Sequence, residues 1–142
     1  MPGVAKLPIE ARGKAGDSEK ITINLGYVDL GSIDLLVRES FYANRTDFIR
    51  TAIRNLLDRH SETTRQTIAR NKFDIGIRRF TRQDLEEVKA AGEVLNIQIL
   101  GLASIASDVP PDLAAETIAS LHVLGALEAS PAVKAALGHK IK

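Results

Sequence analysis

The feature that most constrains the fold is a short alternating segment, from Lys20 to Leu25, with no strand partner beside it in the sequence. Its residues alternate between polar and apolar without a break, and Gly26 ends the pattern. This alternation predicts a β-strand with one apolar face. Because a lone strand is unstable in water, we expect it to pair with a strand from elsewhere, such as the same strand of a second copy of the chain.

Two helices are predicted directly after this strand. Between residues 27 and 42 the apolar side chains recur at the spacing of one helix face, with Asp29 as the expected N-cap; they are Ile33, Leu36, Val37 and Phe41. The second helix is expected to begin with Thr46 as its N-cap. Its apolar stripe is longer: Phe48, Ile49, Ala52, Ile53, Leu56 and Leu57. The turns that follow His60 are too polar for a core, so residues 61–72 are predicted to form a helical linker.

The last part of the chain, residues 73–142, shows a coarse repetition. Strand-like apolar pairs lie 22 and 24 residues apart, at 75–77, 97–99 and 121–123. Each pair is followed by a short helix-like segment, starting at Thr81, Pro111 and Pro131; proline suits the first turn of a helix. The pattern favours either a small stacked β/α repeat or an ordinary three-stranded α+β unit. Because few residues follow the last segment, we expect the final strand to leave an open edge that pairs with another copy, giving a tetramer.

Composition excludes several classes of function. The chain has no cysteine, so it has no disulfide, no cysteine-ligated metal and no thiol nucleophile. Its three histidines, at positions 60, 122 and 139, are far apart in the sequence. Neither a nucleophile elbow nor a phosphate-binding P-loop pattern occurs. We therefore expect no enzymatic activity, no metal and no cofactor.

Hydropathy and charge predict where the protein is located and which part of it binds a polyanion. The longest apolar run, residues 97–105, is far shorter than the ~20 residues of a membrane span, and the first residues contain no apolar block of a signal peptide. We therefore expect a cytoplasmic protein without membrane contact. Residues 21–72 hold eight basic and six acidic side chains, whereas residues 73–142 hold seven and nine. This difference favours the front half as the part that binds a polyanion.

The order strand, helix, turn, helix over residues 19–60 resembles the ribbon-helix-helix fold of CopG-like DNA-binding regulators. The resemblance rests on three stretches: EKITINL, YVDLGSIDLLVRESFYA and NRTDFIRTAIRNLL. The RTDFIR stretch is similar to the Arg-Ser-Glu-x-Ile-Arg opening of the second helix in that family. The resemblance implies a dimer whose two strands form an antiparallel ribbon in the major groove of DNA. It covers under a third of the chain and suggests no family for residues 73–142.

The resemblance assigns roles to particular residues. Alternate strand residues share a face, so Lys20, Thr22 and Asn24 would read base edges with their donor and acceptor groups. The start of the second helix, at Asn44, Arg45 and Thr46, would hold the DNA backbone through free N–H groups. The apolar residues would form the dimer core: Ile21, Ile23, Leu25, Ile33, Val37, Phe48, Ile49 and Ile53. Each assigned role has a purely structural alternative. The polar strand residues could simply face solvent, and Thr46 could simply cap the helix.

Together these observations predict an α+β chain in four parts. A flexible arm at 1–18 precedes a ribbon-helix-helix domain at 19–60, the linker at 61–72 and a module at 73–142 for oligomerisation or partner binding. The expected function is that of a dimeric, sequence-specific repressor associated with the nucleoid. Two alternatives stay open. One is an antitoxin that represses its own operon and captures a toxin through its C-terminal half; the other is an architectural protein tethered to DNA by the ribbon.

Overall fold

The computed structural model describes residues 18–142. The arm predicted at 1–18 therefore lies, except for Ser18, outside the described residues. Internal contacts divide the described chain into two units. The first unit is Lys20–Asn71, and the second is Lys72–Lys142 together with Ser18 and Glu19. In the described part of the chain, no helix is long and apolar enough to cross a membrane.

The first unit contains three helices: α1 (Tyr27–Arg38), α2 (Arg45–Arg59) and α3 (Ser61–Asn71). Residues 18–26 have no regular secondary structure in the single chain. The strand predicted at 20–25 is thus unpaired here, and the ribbon that it would form with a second copy stays a prediction. The polar residues after His60 are helical, as the sequence predicts, and they belong to the first unit.

The predicted helix starts and one helix end need correction. Asp29 does not cap α1, because the cap position is Gly26; Asp29 lies in the first turn, where a negative charge favours the helix dipole. Asn44, and not Thr46, caps α2: its Oδ1 accepts a hydrogen bond from the Asp47 N–H at 2.8 Å. The first helix ends at Arg38 because Ser40 adopts a left-handed conformation, with φ of 66°.

The early end of α1 removes Phe41 from its apolar face. The N–H of Phe41 bonds the carbonyl of Leu36 at 3.0 Å, and the Phe41 side chain is exposed. Local hydrogen bonding at the turn thus ends the helix before the apolar period in the sequence does.

The second unit alternates strands and helices. Its elements are β1 (Asp74–Phe80), α4 (Arg82–Ala90), β2 (Leu95–Ile105), α5 (Pro111–Thr117), β3 (Ile118–Glu128) and α6 (Pro131–Ala136). The three strands are parallel and lie in the order β1-β2-β3, so this sheet is unlike an antiparallel ribbon. Side chains from one face of the sheet and from the helices form a single core, including Phe80, Leu85, Ile99, Leu121 and Val133.

A row of glycines sets the register of the sheet. Gly76 pairs with Gly101, and Gly101 pairs with Gly125. All three have positive φ, between 123° and 142°. A Cβ on Gly101 would collide with the carbonyl oxygen of Gly76, and a Cβ on Gly125 would collide with that of Gly101. Only glycine allows this close approach of neighbouring strands.

This register corrects the spacing expected from the apolar pairs. Residues 97 and 99 lie opposite 121 and 123, as expected. Ile75, however, pairs with Leu100 and Ile77 with Leu102, so the first strand is displaced by three residues from the position that the 22-residue spacing implies. The glycine row gives a structural repeat of 25 and then 24 residues.

The end of the chain covers part of the edge of β3. The N–H of Leu121 bonds the carbonyl of Lys140 at 3.0 Å, and the N–H of Lys142 bonds the carbonyl of Leu121 at 2.9 Å. The Lys140 ammonium also reaches the carbonyl of Ile118 at 2.9 Å. The expectation that the last residues leave this edge open is therefore wrong at Leu121. The tetramer predicted from an open edge of β3 therefore has less free edge through which to form.

Candidate nucleic-acid interface

An apolar groove runs along the first unit between residues 20–25 and the first two helices. Its volume is about 420 Å³. Six of the eight predicted dimer-core residues line it: Ile23, Leu25, Ile33, Phe48, Ile49 and Ile53. Val37 is half-buried on α1, and Ile21, which does not line the groove, is exposed. Only Ile33 in this set is buried, so the single chain leaves most of the predicted core in water.

The three predicted base-reading residues are exposed. The side chains of Lys20, Thr22 and Asn24 make no hydrogen bond or ion pair with any residue between 18 and 142. Their polar groups are therefore free to bond another molecule. The apolar side chains between them, Ile21 and Ile23, are 71% and 59% exposed. Exposure of such large apolar side chains to water is unfavourable.

The start of α2 presents free backbone donors. Asn44 occupies the Asp47 N–H, and the Asp47 carboxylate accepts from the Ala43 N–H at 2.9 Å. The N–H groups of Arg45 and Thr46 have no acceptor among the described residues. Free donors at the positive end of a helix dipole form a site for phosphate. Of the predicted trio, Arg45 and Thr46 thus offer backbone N–H groups, whereas Asn44 shapes the helix start.

The Arg45 side chain is held by Asp34 of α1. Its Nε lies 2.7 Å from Oδ1 and its second terminal nitrogen 2.8 Å from Oδ2, a bidentate pair at the surface. The hydrogen bond from Arg45 lowers the pKa of Asp34, and the bond to Asp34 raises the pKa of Arg45. The pair therefore persists at neutral pH and is lost only as the pH falls through the lowered pKa of Asp34. In the single chain, the Arg45 guanidinium is committed to a carboxylate.

Two features of this site were not predicted from the sequence: the capping of α2 by Asn44 and the pairing of Asp34 with Arg45. The cap could have been predicted, because asparagine is as good a cap as threonine and Asp47 follows at the spacing of a capping box. The pairing could not, since the contact between Asp34 and Arg45 joins two helices across a turn. In residues 18–142, no three His, Asp or Glu side chains lie close enough to hold a metal ion.

Asp34→Asn is expected to strengthen non-specific DNA binding. Without the carboxylate, the Arg45 guanidinium gains a phosphate as its best partner, and each added phosphate contact steepens the dependence of log K on log salt by about 0.9. Fluorescence anisotropy titrations at several salt concentrations measure this slope. Asp58→Asn removes the same charge near the other end of α2 and is the control. Equal changes in both variants would contradict a specific release of Arg45.

Comparison with known proteins identifies the family of the chain. No curated protein and no solved structure matches it. The family model of the ribbon-helix-helix transcriptional regulator family matches residues 16–134. The match covers most of the chain and extends through β3, well beyond the residues 19–60 that carry the resemblance in the sequence. The resemblance is confirmed: the chain belongs to the ribbon-helix-helix transcriptional regulator family.

Proposed function

We propose that the protein is a homodimeric repressor that reads a specific DNA sequence with a ribbon formed by residues 20–25 of two copies. The observation that carries this proposal is the uncovered groove of the first unit. Its walls are the residues that a second copy would bury, and the segment at its rim has the alternation of a strand but no strand partner among residues 18–142. Pairing two copies satisfies the backbone of both strands and removes both grooves from water.

The polar side of the same segment supports base reading. Two paired strands present Lys20, Thr22 and Asn24 twice, related by a two-fold axis. A two-stranded ribbon fits the major groove, where lysine bonds guanine and asparagine forms a bidentate pair with adenine. Because these side chains have no partner in the described chain, reading bases breaks no internal bond.

The start of α2 supports positioning on the backbone. The free N–H groups of Arg45 and Thr46 can donate hydrogen bonds to a phosphate without rearrangement of the helix. Such contacts fix the register of the protein on the duplex but carry no sequence information. In this proposal, the ribbon supplies specificity and the helix start supplies orientation.

The packed second unit favours a regulator over an antitoxin with a tail that folds on its toxin. Leu85, Leu121 and Leu137 are fully buried in its core, which supports a module that packs without a bound toxin. Limited proteolysis of the purified protein checks this point. A protected C-terminal fragment is expected, and its rapid loss would favour the antitoxin.

Selection of bound duplexes from a random DNA pool tests the proposed function. At moderate salt, we expect enrichment of a motif with two-fold symmetry, because a ribbon made of two identical strands reads related half-sites. The Ile23→Asp variant, which should not dimerise, is the matched control and should enrich nothing. Failure of the unaltered protein to enrich any motif would reject sequence-specific binding.

A further inference from the structure

The second unit is a stack of three similar repeats. Its strands lie across the sheet in chain order, and each strand is followed by a helix. The glycine row of Gly76, Gly101 and Gly125 holds neighbouring repeats in one register. In such a stack each repeat contacts only its neighbours, so β3 offers to a following strand the kind of edge that β2 offers to β3. The outer edges of β1 and β3 are therefore complementary ends of the stack.

The first strand of a second copy fits a fourth position beside β3. Continuing the glycine row would place Gly76 of the second copy opposite Gly125. Ile75 of the second copy would then lie beside Leu124, in the way that Ile75 lies beside Leu100 within the chain. Ile75 and Leu124 are 61% and 49% exposed, so this addition would remove apolar surface from water on both copies. Because the contact joins two different surfaces, it can repeat from copy to copy.

The end of the chain occupies part of this fourth position. Ile141 forms a parallel bridge with Leu121, between two backbone hydrogen bonds. The N–H of Leu121 donates to the carbonyl of Lys140 at 3.0 Å, and the N–H of Lys142 donates to the carbonyl of Leu121 at 2.9 Å. The Lys140 ammonium donates to two further backbone carbonyls. We name residues 139–142 the end cap, which lies beside the start of β3 where a fourth strand would lie.

We propose that the end cap prevents β1 of a second copy from adding to β3. In the continued register, Lys72 of the second copy would lie opposite Leu121, because each lies four residues before the glycine of its strand. Ile141 holds that place in the end cap, and two residues cannot share it. The cap also brings Lys140 and Lys142 to the edge that Lys72 would approach. Lysines at the edge of a sheet oppose pairing with another chain.

The end cap lies outside the core that it borders. The last residue of the core is Leu137, which is fully buried, as is Leu121. Helix α6 and Leu137 both precede the end cap in the chain, so its removal takes no residue from the core. A chain that ends at Gly138 should therefore fold and lose only the cover at the start of β3.

Truncation after Gly138 tests the inference by light scattering. The measurement covers a range of protein concentrations over which the mass of the unaltered protein is constant. The mass of the truncated chain should rise with concentration to at least about twice that of the unaltered protein, as mass action requires of an association. Adding Ile75→Lys to the truncated chain is the matched control. It places a charge beside the apolar Leu124 of the neighbouring copy and should restore the mass of the unaltered protein.

A full-length variant with Lys140→Ala and Lys142→Pro is the alternative if the truncated chain melts below the unaltered protein. It removes the Lys140 ammonium and the Lys142 N–H from the edge of β3 and keeps every other residue. It should show the same rise in mass with concentration.

Two results would overturn the inference. One is a truncated chain that is folded by circular dichroism and keeps the mass of the unaltered protein at every concentration. The other is a rise in mass that Ile75→Lys does not reduce, because the contact then lies elsewhere. The inference does not depend on the ribbon dimer. A monomeric unaltered protein would reject that dimer, whereas only the change in mass on truncation bears on the end cap.

Discussion

Ile23→Asp is expected to abolish dimerisation and DNA binding together. Ile23 lines the apolar groove of the first unit, and a second copy would bury it. An unpaired carboxylate in such an interface costs about 3–5 kcal/mol, enough to weaken association more than a hundredfold. Because we expect folding and association to be coupled in so small a unit, the helices of the first unit should also lose stability. Light scattering measures the mass, and fluorescence anisotropy measures DNA binding.

Leu35→Asp is the matched control for this prediction. Leu35 is also a large apolar residue, 56% exposed, but it does not line the groove. This variant should remain a dimer that binds DNA. A dimeric Ile23→Asp protein would contradict the assignment of the groove to a second copy, and equal disruption by both variants would contradict its location.

Gly101→Ala is expected to unfold the second unit under conditions in which the unaltered protein is folded. Its φ is +142°, and the added Cβ collides with the carbonyl oxygen of Gly76 on the neighbouring strand. A strained backbone residue costs about 1–3 kcal/mol, and the collision adds the cost of separating two paired strands. We expect a loss of at least about 3 kcal/mol in the free energy of unfolding, at the upper end of that range. Chemical denaturation followed by circular dichroism measures it.

Gly92→Ala separates the two contributions. Gly92 also has a positive φ, +69°, but apart from its own neighbours along the chain no atom lies within 4 Å of an added Cβ. Its replacement should cost about 1–2 kcal/mol, the price of a left-handed conformation in a residue with a side chain. If both variants unfold at the same denaturant concentration, close packing of the glycine row is not what holds the sheet.

The local part of this structure was predictable from the sequence. A helix is predicted from the spacing of its apolar residues and from the residues that can cap its start, and both lie close together in the sequence. The approximate positions of α1, α2 and the short helices of the second unit could therefore be predicted. The caps were harder, because Asn44 and Thr46 are both good cap residues and only the Asp47 spacing distinguishes them. The alternation at 20–25 predicts a strand, and residues 18–142 contain no strand that pairs with it.

The remaining features depend on residues distant in the sequence. The register of a parallel sheet is set by contacts between residues 24 and 25 positions apart, and the glycine row shows its meaning only when the strands are aligned. The pairing of Ile141 with Leu121 and the bond between Arg45 and Asp34 likewise join separate elements. Neither spacing nor composition indicates such contacts.

The most direct test of the central claim compares two duplexes of equal length, one carrying the selected motif and one with that motif scrambled. Thr22→Ala and Asn24→Ala should each weaken binding to the selected duplex by about 1–3 kcal/mol, the usual cost of losing a base contact. Binding to the scrambled duplex should not change. Arg45→Pro removes one of the two free backbone N–H groups at the first position of α2, where proline is tolerated, and is the control that should weaken both, because the phosphates are the same. If Asn24→Ala keeps the full preference for the selected duplex, the ribbon does not read the DNA.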